Sequence, residues 1–398
     1  MASSTDLQAR QPGPRLLAFT MIAGHGLKHL YGAAFTVIFP EIKLGLGLSN
    51  FAAGALVMTR DVSSGIAAMP GGFIADRYSS KRPLILMAAV ILVAFGYLAS
   101  GSLQTYIAIA LAVVLVGVGT SLWHPTAIAS LSDRFPGKRG LALTMHGAGA
   151  SLGEVLGPLV AGTLLQFILW PRLLQYSFFP AALAVIVLWF VLRGLKGPRG
   201  AASIKEYFSA VAPLLKNRRV MAVVTLCGTI SMGDYAMGTF LPIYLREHLE
   251  FSTFKVGLYI SLLQAVGIVV HPILGAISDR FSRKSALVPE LTIFGLLCVA
   301  LAYADPGIQL LLVIIAIGAV TFAYLPILVA TTIDLSPPGV HGTTVGLVYS
   351  ASMAIGAFGA VFGGLIADHI SIESTFVFAG ITIVASGLAL LATPTHPL

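Results

Sequence analysis

The residues of this sequence that could do chemistry are ionisable side chains placed inside long apolar stretches. These are His25, Lys28, His29, Arg60, Asp61, His124, His146, Glu154, Asp234 and His271. A charged group at the centre of a bilayer costs roughly 2.5–3.5 kcal/mol, so ionisable residues found there typically bind solutes or relay protons. A nucleophile elbow, a metal-binding motif and a phosphate loop are absent from the sequence, which argues against an enzyme.

The basic residues of the first two apolar stretches favour an anionic ligand. His25, Lys28 and His29 are spaced i, i+3 and i+4 and so share one helix face, and Arg60 lies near the middle of the next stretch. Fixed cations and imidazoles at mid-depth suit a carboxylate, phosphate or phosphonate. We therefore predict a substrate site built from His25, Lys28, His29, Arg60, His124 and His146. The alternative is that the two cations only neutralise nearby carboxylates in structural ion pairs.

Three carboxylates at mid-depth are candidates for binding and releasing a proton. Glu154 and Asp61 are equally favoured and Asp234 is the third. Burial disfavours the ionised form of a carboxyl group and a nearby cation favours it, so protonation can follow the binding of a ligand. His124 and His146 are able to shuttle protons, because an unperturbed imidazole titrates near pH 6.5. Their alternative role is a hydrogen-bonded pair between two helices.

The sequence predicts neither a metal site nor a bound cofactor. Among the histidines, only His25 and His29 have a spacing that could contribute to a metal site. The two cysteines, Cys227 and Cys298, lie in apolar stretches without a paired framework. We expect them to be packing residues.

Composition indicates that lipid is the solvent of this chain. It has 398 residues, of which 57% are hydrophobic and 10% are charged, and a mean hydropathy of +0.91. Soluble domains carry about 25% charged residues, so a soluble fold would leave far too much apolar surface exposed. A net charge of +8 could indicate a nucleic-acid partner. The positions of the basic residues along the chain give another explanation for this charge.

The pattern of apolar stretches predicts an all-α integral membrane protein with twelve spans. The predicted spans are 16–39, 50–75, 83–101, 104–132, 139–167, 172–193, 219–245, 253–278, 285–304, 306–333, 341–368 and 374–394. The predicted units are an N-terminal six-helix bundle (1–193), a cytoplasmic linker with an amphipathic helix (194–218) and a C-terminal six-helix bundle (219–398). The helix in the linker is predicted from helical spacing of apolar residues.

The distribution of Lys and Arg orients these spans. Eighteen of the 24 basic residues fall in loops on the side of the N-terminus, and only Lys43, Arg172, Arg246 and Lys255 fall in loops on the other side. Because cytoplasmic loops are enriched in Lys and Arg, both termini are predicted to be cytoplasmic. The positive charge is thus a topology signal, and no nucleic-acid partner is predicted.

The two predicted bundles resemble each other in sequence. A Gly-x-x-x-Asp-Arg pattern runs from Gly72 to Arg77 after the second span and recurs from Gly275 to Arg280 after the eighth. Further matches keep an offset near 202 residues. A duplicated six-helix unit related by an axis along the membrane normal is typical of one large group of secondary transporters.

These repeated loops resemble the helix 2–3 signature of the major facilitator superfamily. The resemblance to that family covers essentially the whole chain. The resemblance implies twelve helices in two pseudo-symmetric bundles and transport by alternating access. It also implies a gate at the cytoplasmic side, in which the aspartate faces a helix N-terminus of the opposite half. The gating residues are then Gly72, Asp76, Arg77, Gly275, Asp279 and Arg280. The alternative is that these residues only anchor the topology.

The fifth span carries a second motif. Gly149, Gly153, Gly157 and Pro158 look like the Gly-Pro signature of proton-coupled exporters in that superfamily, although small residues at this spacing also serve helix packing. Trp123-His124-Pro125 is a closer match, to the fosmidomycin-resistance-type branch of proton-driven exporters. Lys28 and His29 depart from that branch, where a neutral residue and an acid are expected.

The sequence thus predicts a proton-coupled antiporter that exports a small anionic or amphiphilic compound. It is expected to be a multi-pass protein of a bacterial inner membrane that works as a monomer with substrate, protons and lipid as partners. A proton-coupled importer of an organic or inorganic anion is the first alternative. A membrane sensor or scaffold that transports nothing is a more distant one.

Overall fold

The computed structural model describes residues 12–195, 204–321, 323–336 and 341–393, and these residues are helical with no strand among them. The long helices are α1 (Pro14–Leu46), α2 (Asn50–Arg77), α3 (Arg82–Leu103), α4 (Tyr106–Arg134), α5 (Arg139–Leu164), α6 (Trp170–Tyr176 and Phe178–Leu192), α7 (Arg218–Ile243), α8 (Thr253–Arg280), α9 (Arg283–Leu301), α10 (Ile308–Val320 and Tyr324–Asp334), α11 (His341–Gly356 and Phe358–His369) and α12 (Ile372–Ala392). The predicted helical class is therefore confirmed.

Nine helices of the described ranges are long and apolar enough to cross a membrane. The other three, α1, α2 and α5, have 33, 28 and 26 residues but are less apolar because they carry most of the ionisable residues discussed above. All three pack against other helices, so their polar side chains have protein neighbours rather than lipid. The count of twelve spans and the cytoplasmic position of both termini stay predictions.

Local sequence fixes where several helices begin and end. The side chains of Ser49, Thr105 and Ser252 each accept a hydrogen bond from a backbone N–H in the first turn of α2, α4 and α8, which is the usual role of an N-cap residue. Helix α1 continues to Leu46, past its predicted end at residue 39. Gly47 ends it with φ +61°, a conformation that glycine adopts without strain.

The predicted linker contains a helix, Ile204–Lys216. Val211 and Leu214 are buried and Leu215 is half exposed, which fits an amphipathic helix. Residues 196–203 of the linker, and the side chains of residues 204–208 and 210, lie outside what the structure describes. The boundaries of the three predicted units stay a prediction.

Helix packing joins the two halves along two seams. Helix α2 packs along α11, and α5 packs along α8. Close approach at both seams depends on glycine: a Cβ atom on Gly54 would overlap the backbone of Ala360, and one on Gly257 would overlap the backbone of Pro158. Small residues that let backbones touch are the usual device for helix association in membranes.

The two ends of the bundle differ. We call the end with the α2–α3 and α8–α9 loops the motif end, and the opposite end the sealed end. At the sealed end, Lys43 Nζ lies 2.6 Å from Glu247 Oε2, and Gln166 Nε2 donates to Thr253 Oγ1 at 2.6 Å. Each of these contacts joins one half to the other.

A carboxylate also closes the sealed end. Asp368, at the end of α11, accepts hydrogen bonds from the backbone N–H groups of Asn50 (2.9 Å) and Phe51 (2.8 Å) at the start of α2. At the motif end, by contrast, a Cβ atom on Gly72 or Gly275 would meet nothing within 4 Å. The helices are thus tightly joined at the sealed end and leave open space around the motif glycines.

Candidate functional site

A cavity of about 530 Å³ lies between the halves, lined by residues of α1, α2, α5, α7, α8, α10 and α11. Much of its wall is aromatic or aliphatic, and includes Phe35, Phe39, Val57, Ile260 and Leu263. Its acidic and basic lining residues are Arg60, Glu154, Asp234 and His271. A mostly apolar cavity with a few convergent polar groups is the usual form of a small-molecule site.

Arg60 contributes a positive charge to this cavity and already forms an ion pair with Asp61. Its Nε donates to Asp61 Oδ1 at 2.7 Å and its Nη2 donates to Asp61 Oδ2 at 3.1 Å. Asp61 is buried behind it, and the guanidinium carbon lies 5.7 Å from the centre of the Phe35 ring. Because a guanidinium has five N–H donors, Arg60 can bind an additional acceptor in the cavity while it keeps Asp61.

Asp234 faces the cavity from the other half. It accepts hydrogen bonds from the hydroxyl groups of Tyr324 (2.9 Å) and Thr321 (3.1 Å). Hydroxyl donors stabilise a carboxylate less than a cation does, because they bring no opposite charge.

Glu154 lies between the cavity and a set of polar side chains on neighbouring helices. We call this set the histidine cluster, and it consists of His25, Lys28, His29, His124 and His146. Glu154 Oε1 lies 2.8 Å from His29 Nδ1, and its side chain is 36% exposed. On the other side of the ring, His29 Nε2 lies 3.1 Å from His25 Nε2. Glu154 therefore connects the cavity to the cluster.

The rest of the cluster is held by α4 and α5. His25 Nδ1 lies 2.8 Å from the backbone oxygen of His146, and the two rings stack with centroids 3.8 Å apart. Lys28 Nζ lies 2.6 Å from His124 Nε2 and 3.5 Å from His29 Nε2. The cluster thus ties α1 to both neighbouring helices.

The structure divides the predicted site residues into two groups. Of the six residues predicted to bind substrate, Arg60 lines the cavity and the other five form the cluster. Of the three predicted proton-binding carboxylates, Glu154 and Asp234 line the cavity. His124 and His146, considered as a possible pair, each contact α1 instead. The roles of all these residues stay predictions.

The cluster also brings three imidazoles closer than the sequence indicated. One ring nitrogen each of His25, His29 and His124 lie within 4.8 Å of one another, a spacing that a metal ion could use. Lys28 Nζ occupies the same space, 2.6 Å from His124 Nε2. An ammonium donor at that distance satisfies the imidazole lone pair, so we interpret the group as a hydrogen-bonded cluster rather than as a set of metal ligands.

The glycine motif of α5 lies against α1. Cβ atoms on Gly149, Gly153 and Gly157 would overlap backbone atoms of Ile22, Gly26 and Leu30, respectively. Close contact between α1 and α5 is what places His29 beside Glu154 and His25 beside His146. The motif therefore has a packing function that also builds the cluster.

The motif loops contain ion pairs that sequence reasoning missed. Arg82 Nη1 lies 2.6 Å from Asp133 Oδ2, and in the second copy Arg283 Nε lies 3.3 Å from Asp334 Oδ2. Both partners are displaced by 201 residues between the copies, so the repeat offset could have found these pairs. Asp279 also pairs with Arg283, at 2.5 Å.

Asp368 is a further residue that the sequence did not single out. It ends the segment Gly-Gly-Leu-Ile-Ala-Asp (363–368), which differs from the segment ending at Asp76 (71–76) only by Leu for Phe. The Gly-x-x-x-Asp spacing was therefore present a third time in the sequence, without the following arginine.

Known proteins that resemble this chain in sequence or in fold include several transporters. The profile of the Major Facilitator Superfamily matches residues 21–357. The chain is 24% identical over 381 residues to the uncharacterised MFS-type transporter YfnC of Bacillus subtilis (strain 168), covering 92% of this chain and 91% of that protein. It is 26% identical over 363 residues to the Fosmidomycin resistance protein of Escherichia coli (strain K12), covering 88% and 86%.

The fold is also found among solved structures. A bacterial homologue of the human lysosomal transporter Spinster, in an inward-facing and unoccupied conformation, superimposes with a TM-score of 0.78 at 17% identity. The match covers 96% of this chain and 95% of the other. At this identity the similarity concerns the fold.

Proposed function

Because this chain belongs to the Major Facilitator Superfamily, it is a membrane transporter and not an enzyme, and we propose that it exports a small amphiphilic compound in exchange for protons. The observation that carries this proposal is the cavity between the halves, where Glu154 stands in a largely apolar wall. The name of one relative, the Fosmidomycin resistance protein, supports the export of a foreign compound.

The lining supports an amphiphilic substrate. Aromatic and aliphatic side chains from both halves provide an apolar surface, while Arg60, Glu154 and Asp234 provide a few charged anchors. Apolar contacts supply most of the binding free energy in such a cavity, and the polar anchors fix the orientation.

Exchange with protons follows from competition at Glu154. A substrate whose polar group binds the ionised carboxylate can bind only after the proton has left, and a proton that returns displaces that group. Ligands that exclude each other from one carrier are transported in opposite directions, because each must leave before the other binds. Alternating access of the two halves then carries substrate one way and the proton the other.

An importer of an anion is the second candidate, and Arg60 favours it. An anionic substrate group that binds the remaining N–H donors of Arg60 shares its positive charge with Asp61. A buried carboxylate whose cation is shared with a second anion favours proton uptake. In that case the proton and the anion bind together and move in the same direction.

The remaining predictions complete the proposal. The protein has twelve spans with both termini in the cytoplasm, resides in a bacterial inner membrane and functions as a monomer. The motif residues gate the cytoplasmic side, which is the motif end of the structure. The helices of the described ranges support a multi-pass membrane protein, and the bacterial relatives support a bacterial membrane.

Transport by purified protein in liposomes with an imposed pH gradient tests the proposal. The first probe is fosmidomycin, followed by one cationic and one anionic amphiphilic dye. We expect the wild type to accumulate a probe inside acid-filled liposomes, which is the direction of exchange. Accumulation only in alkaline-filled liposomes would instead establish the second candidate, and no response to the gradient with any probe would contradict both.

Two variants assign the roles. Glu154→Gln, which resembles the protonated side chain, should transport the probe more weakly, and the transport that remains should not respond to the pH gradient. An unchanged response would remove Glu154 from this role. Arg60→Gln should abolish transport of the anionic probe while insertion and folding are retained. The control is His248→Gln, because His248 forms a similar pair with Glu373 (2.9 Å) at the sealed end and outside the cavity.

A further inference from the structure

The hydrogen bonds of the histidine cluster determine how many protons it contains. The backbone oxygen of His146 can only accept, so His25 Nδ1 carries a hydrogen and donates to it. In a neutral His25 ring, Nε2 is then an acceptor. The 3.1 Å contact between His25 Nε2 and His29 Nε2 therefore requires His29 to donate through Nε2.

The other nitrogen of His29 faces Glu154 at 2.8 Å. Two arrangements satisfy this contact while Nε2 donates to His25. Either Glu154 is protonated and donates to Nδ1, or Glu154 is ionised and His29 is an imidazolium. If His25 were the imidazolium instead, the count would be the same. Every arrangement that satisfies all three contacts has one proton more than ionised Glu154 with neutral rings.

We propose that the chain of hydrogen bonds from Glu154 through His29 to His25 is the proton-binding site of this transporter, in which the carboxylate and the imidazole share one proton. This inference rests on the proposed function, proton-coupled transport, and names its coupling group. The proton arrives from water in the cavity, where Glu154 is partly exposed. It forms an O–H bond on Glu154 or an N–H bond on His29, and it leaves by the same route.

When the proton leaves, Lys28 can donate a hydrogen bond to the lone pair that becomes available on His29 Nε2. His29 then keeps the Nδ1 hydrogen towards ionised Glu154, and its Nε2 becomes an acceptor that can no longer bond to His25 Nε2. Lys28 Nζ, 3.5 Å away, can only donate. Loss of the proton therefore moves the Nε2 bond of His29 from His25 to Lys28, and shifts a contact within α1.

Several charged or titratable groups surround this pair and contribute to its proton affinity. His25 and Lys28 face it from α1, His124 from α4 and His146 from α5. Across the cavity, His271 of α8 is close enough to Glu154 for electrostatic interaction. A proton on the pair leaves it neutral, whereas its loss leaves one negative charge beside Lys28.

Infrared difference spectroscopy between acid and alkaline buffer tests the proposal on the full-length protein in lipid vesicles, with no substrate present. In the wild type, we expect imidazole ring bands, from an imidazolium or from the change of tautomer of His29, that shift when all histidines are labelled with nitrogen-15. His29→Gln and Glu154→Gln should each abolish this signal, and the double variant should lose no more than either single one. His248→Gln should retain it.

The proposal is overturned if the signal survives in His29→Gln, or if the wild-type signal is insensitive to the histidine label, since Glu154 alone then binds the proton. Because exposed histidines such as His341 and His369 contribute label-sensitive bands of their own, the signal is defined as the component that Glu154→Gln or His29→Gln removes. If one of these variants fails to fold, the other still defines it. The proposal is also overturned if the purified protein contains a transition metal whose removal abolishes the signal.

Lys28→Met gives a further, signed outcome. Without the ammonium, the negative charge left by deprotonation has no neighbouring cation in the cluster and Nε2 has no donor. We expect this variant to retain its proton at higher pH than the wild type, and an unchanged midpoint would contradict the role of Lys28. Because the measurement needs no substrate, a shared proton together with absent gradient-driven transport would overturn the proposed function alone.

Discussion

The ends of α2 and α11 share almost the same six residues and lie in opposite environments. In α11, at the sealed end, Gly364 lies against the backbone of Asn50 and Asp368 accepts two hydrogen bonds from the start of α2. In α2, at the motif end, Gly72 faces open space and Asp76 is exposed, with no hydrogen bond or ion pair among the described residues. The aspartate of one copy is hydrogen-bonded to the other half, whereas Asp76 interacts only electrostatically with nearby groups of its own half, such as Arg82.

The same Gly-x-x-x-Asp segment can therefore act at both ends of the bundle. The two helices run antiparallel, so each presents its N-terminus to the Gly-x-x-x-Asp segment of the other. A helix N-terminus favours a nearby carboxylate through its free N–H groups and its dipole. We expect Asp76 to reach the start of α11 when the motif end closes, as Asp368 reaches the start of α2 here. In its predicted gating role, Asp76 would thus accept hydrogen bonds from backbone N–H groups at the start of α11.

The largest effect is expected from the ion pair that closes the sealed end. Glu247→Gln leaves the buried ammonium of Lys43 without its partner, and breaking a buried pair costs about 3–5 kcal/mol. Since Glu247 is partly exposed, we expect about 3 kcal/mol, measured as a lower thermal stability. Removing both charges, in Lys43→Met with Glu247→Leu, should restore most of it.

Cysteine labelling measures the opening that accompanies this loss. The native cysteines are buried, and Thr253 is buried at the sealed end, so Thr253→Cys provides a thiol that reacts when this end opens. Its labelling should accelerate in Glu247→Gln and return towards the wild-type rate in the double variant. An equal rate in all three would show that the ion pair does not close this end.

Replacing Gly364 or Gly72 by valine should have different effects at the two ends. A Cβ atom on Gly364 would overlap backbone atoms of Asn50 and Phe51, and overpacking of this kind costs about 1–3 kcal/mol. Gly364→Val should therefore lower the thermal stability. Gly72→Val should leave it unchanged yet stop transport, because the space must be filled when the motif end closes. Full transport by Gly72→Val would break the comparison.

The smallest effect is expected from neutralising the two aspartates. A carboxylate at a helix N-terminus contributes about 0.3–1 kcal/mol, so Asp368→Asn should lower the stability of the sealed end by that amount and slightly accelerate labelling of a cysteine at position 253. Asp76→Asn should change neither quantity in this conformation. A larger effect of Asp76→Asn would mean that the motif end is held by this residue already.

Much of the architecture was predictable from sequence. The helical class and the superfamily, predicted from apolar stretches and the Gly-x-x-x-Asp-Arg loops, are confirmed. The end of α1 was placed seven residues early, because Lys43 was assumed to lie outside the helix. A basic residue is tolerated in that last turn since Glu247 of the other half neutralises it.

The sequence by itself determined the height of each ionisable residue along its helix, because an α-helix rises 1.5 Å per residue. It thereby identified the polar layer that contains Arg60, Glu154 and the histidines. Only the tertiary structure decided which residues face the cavity and which face a neighbouring helix. That choice depends on helix rotation and on the close contact of α1 with α5, and it placed His29 between Glu154 and His25 while Arg60 alone among the predicted substrate residues lines the cavity.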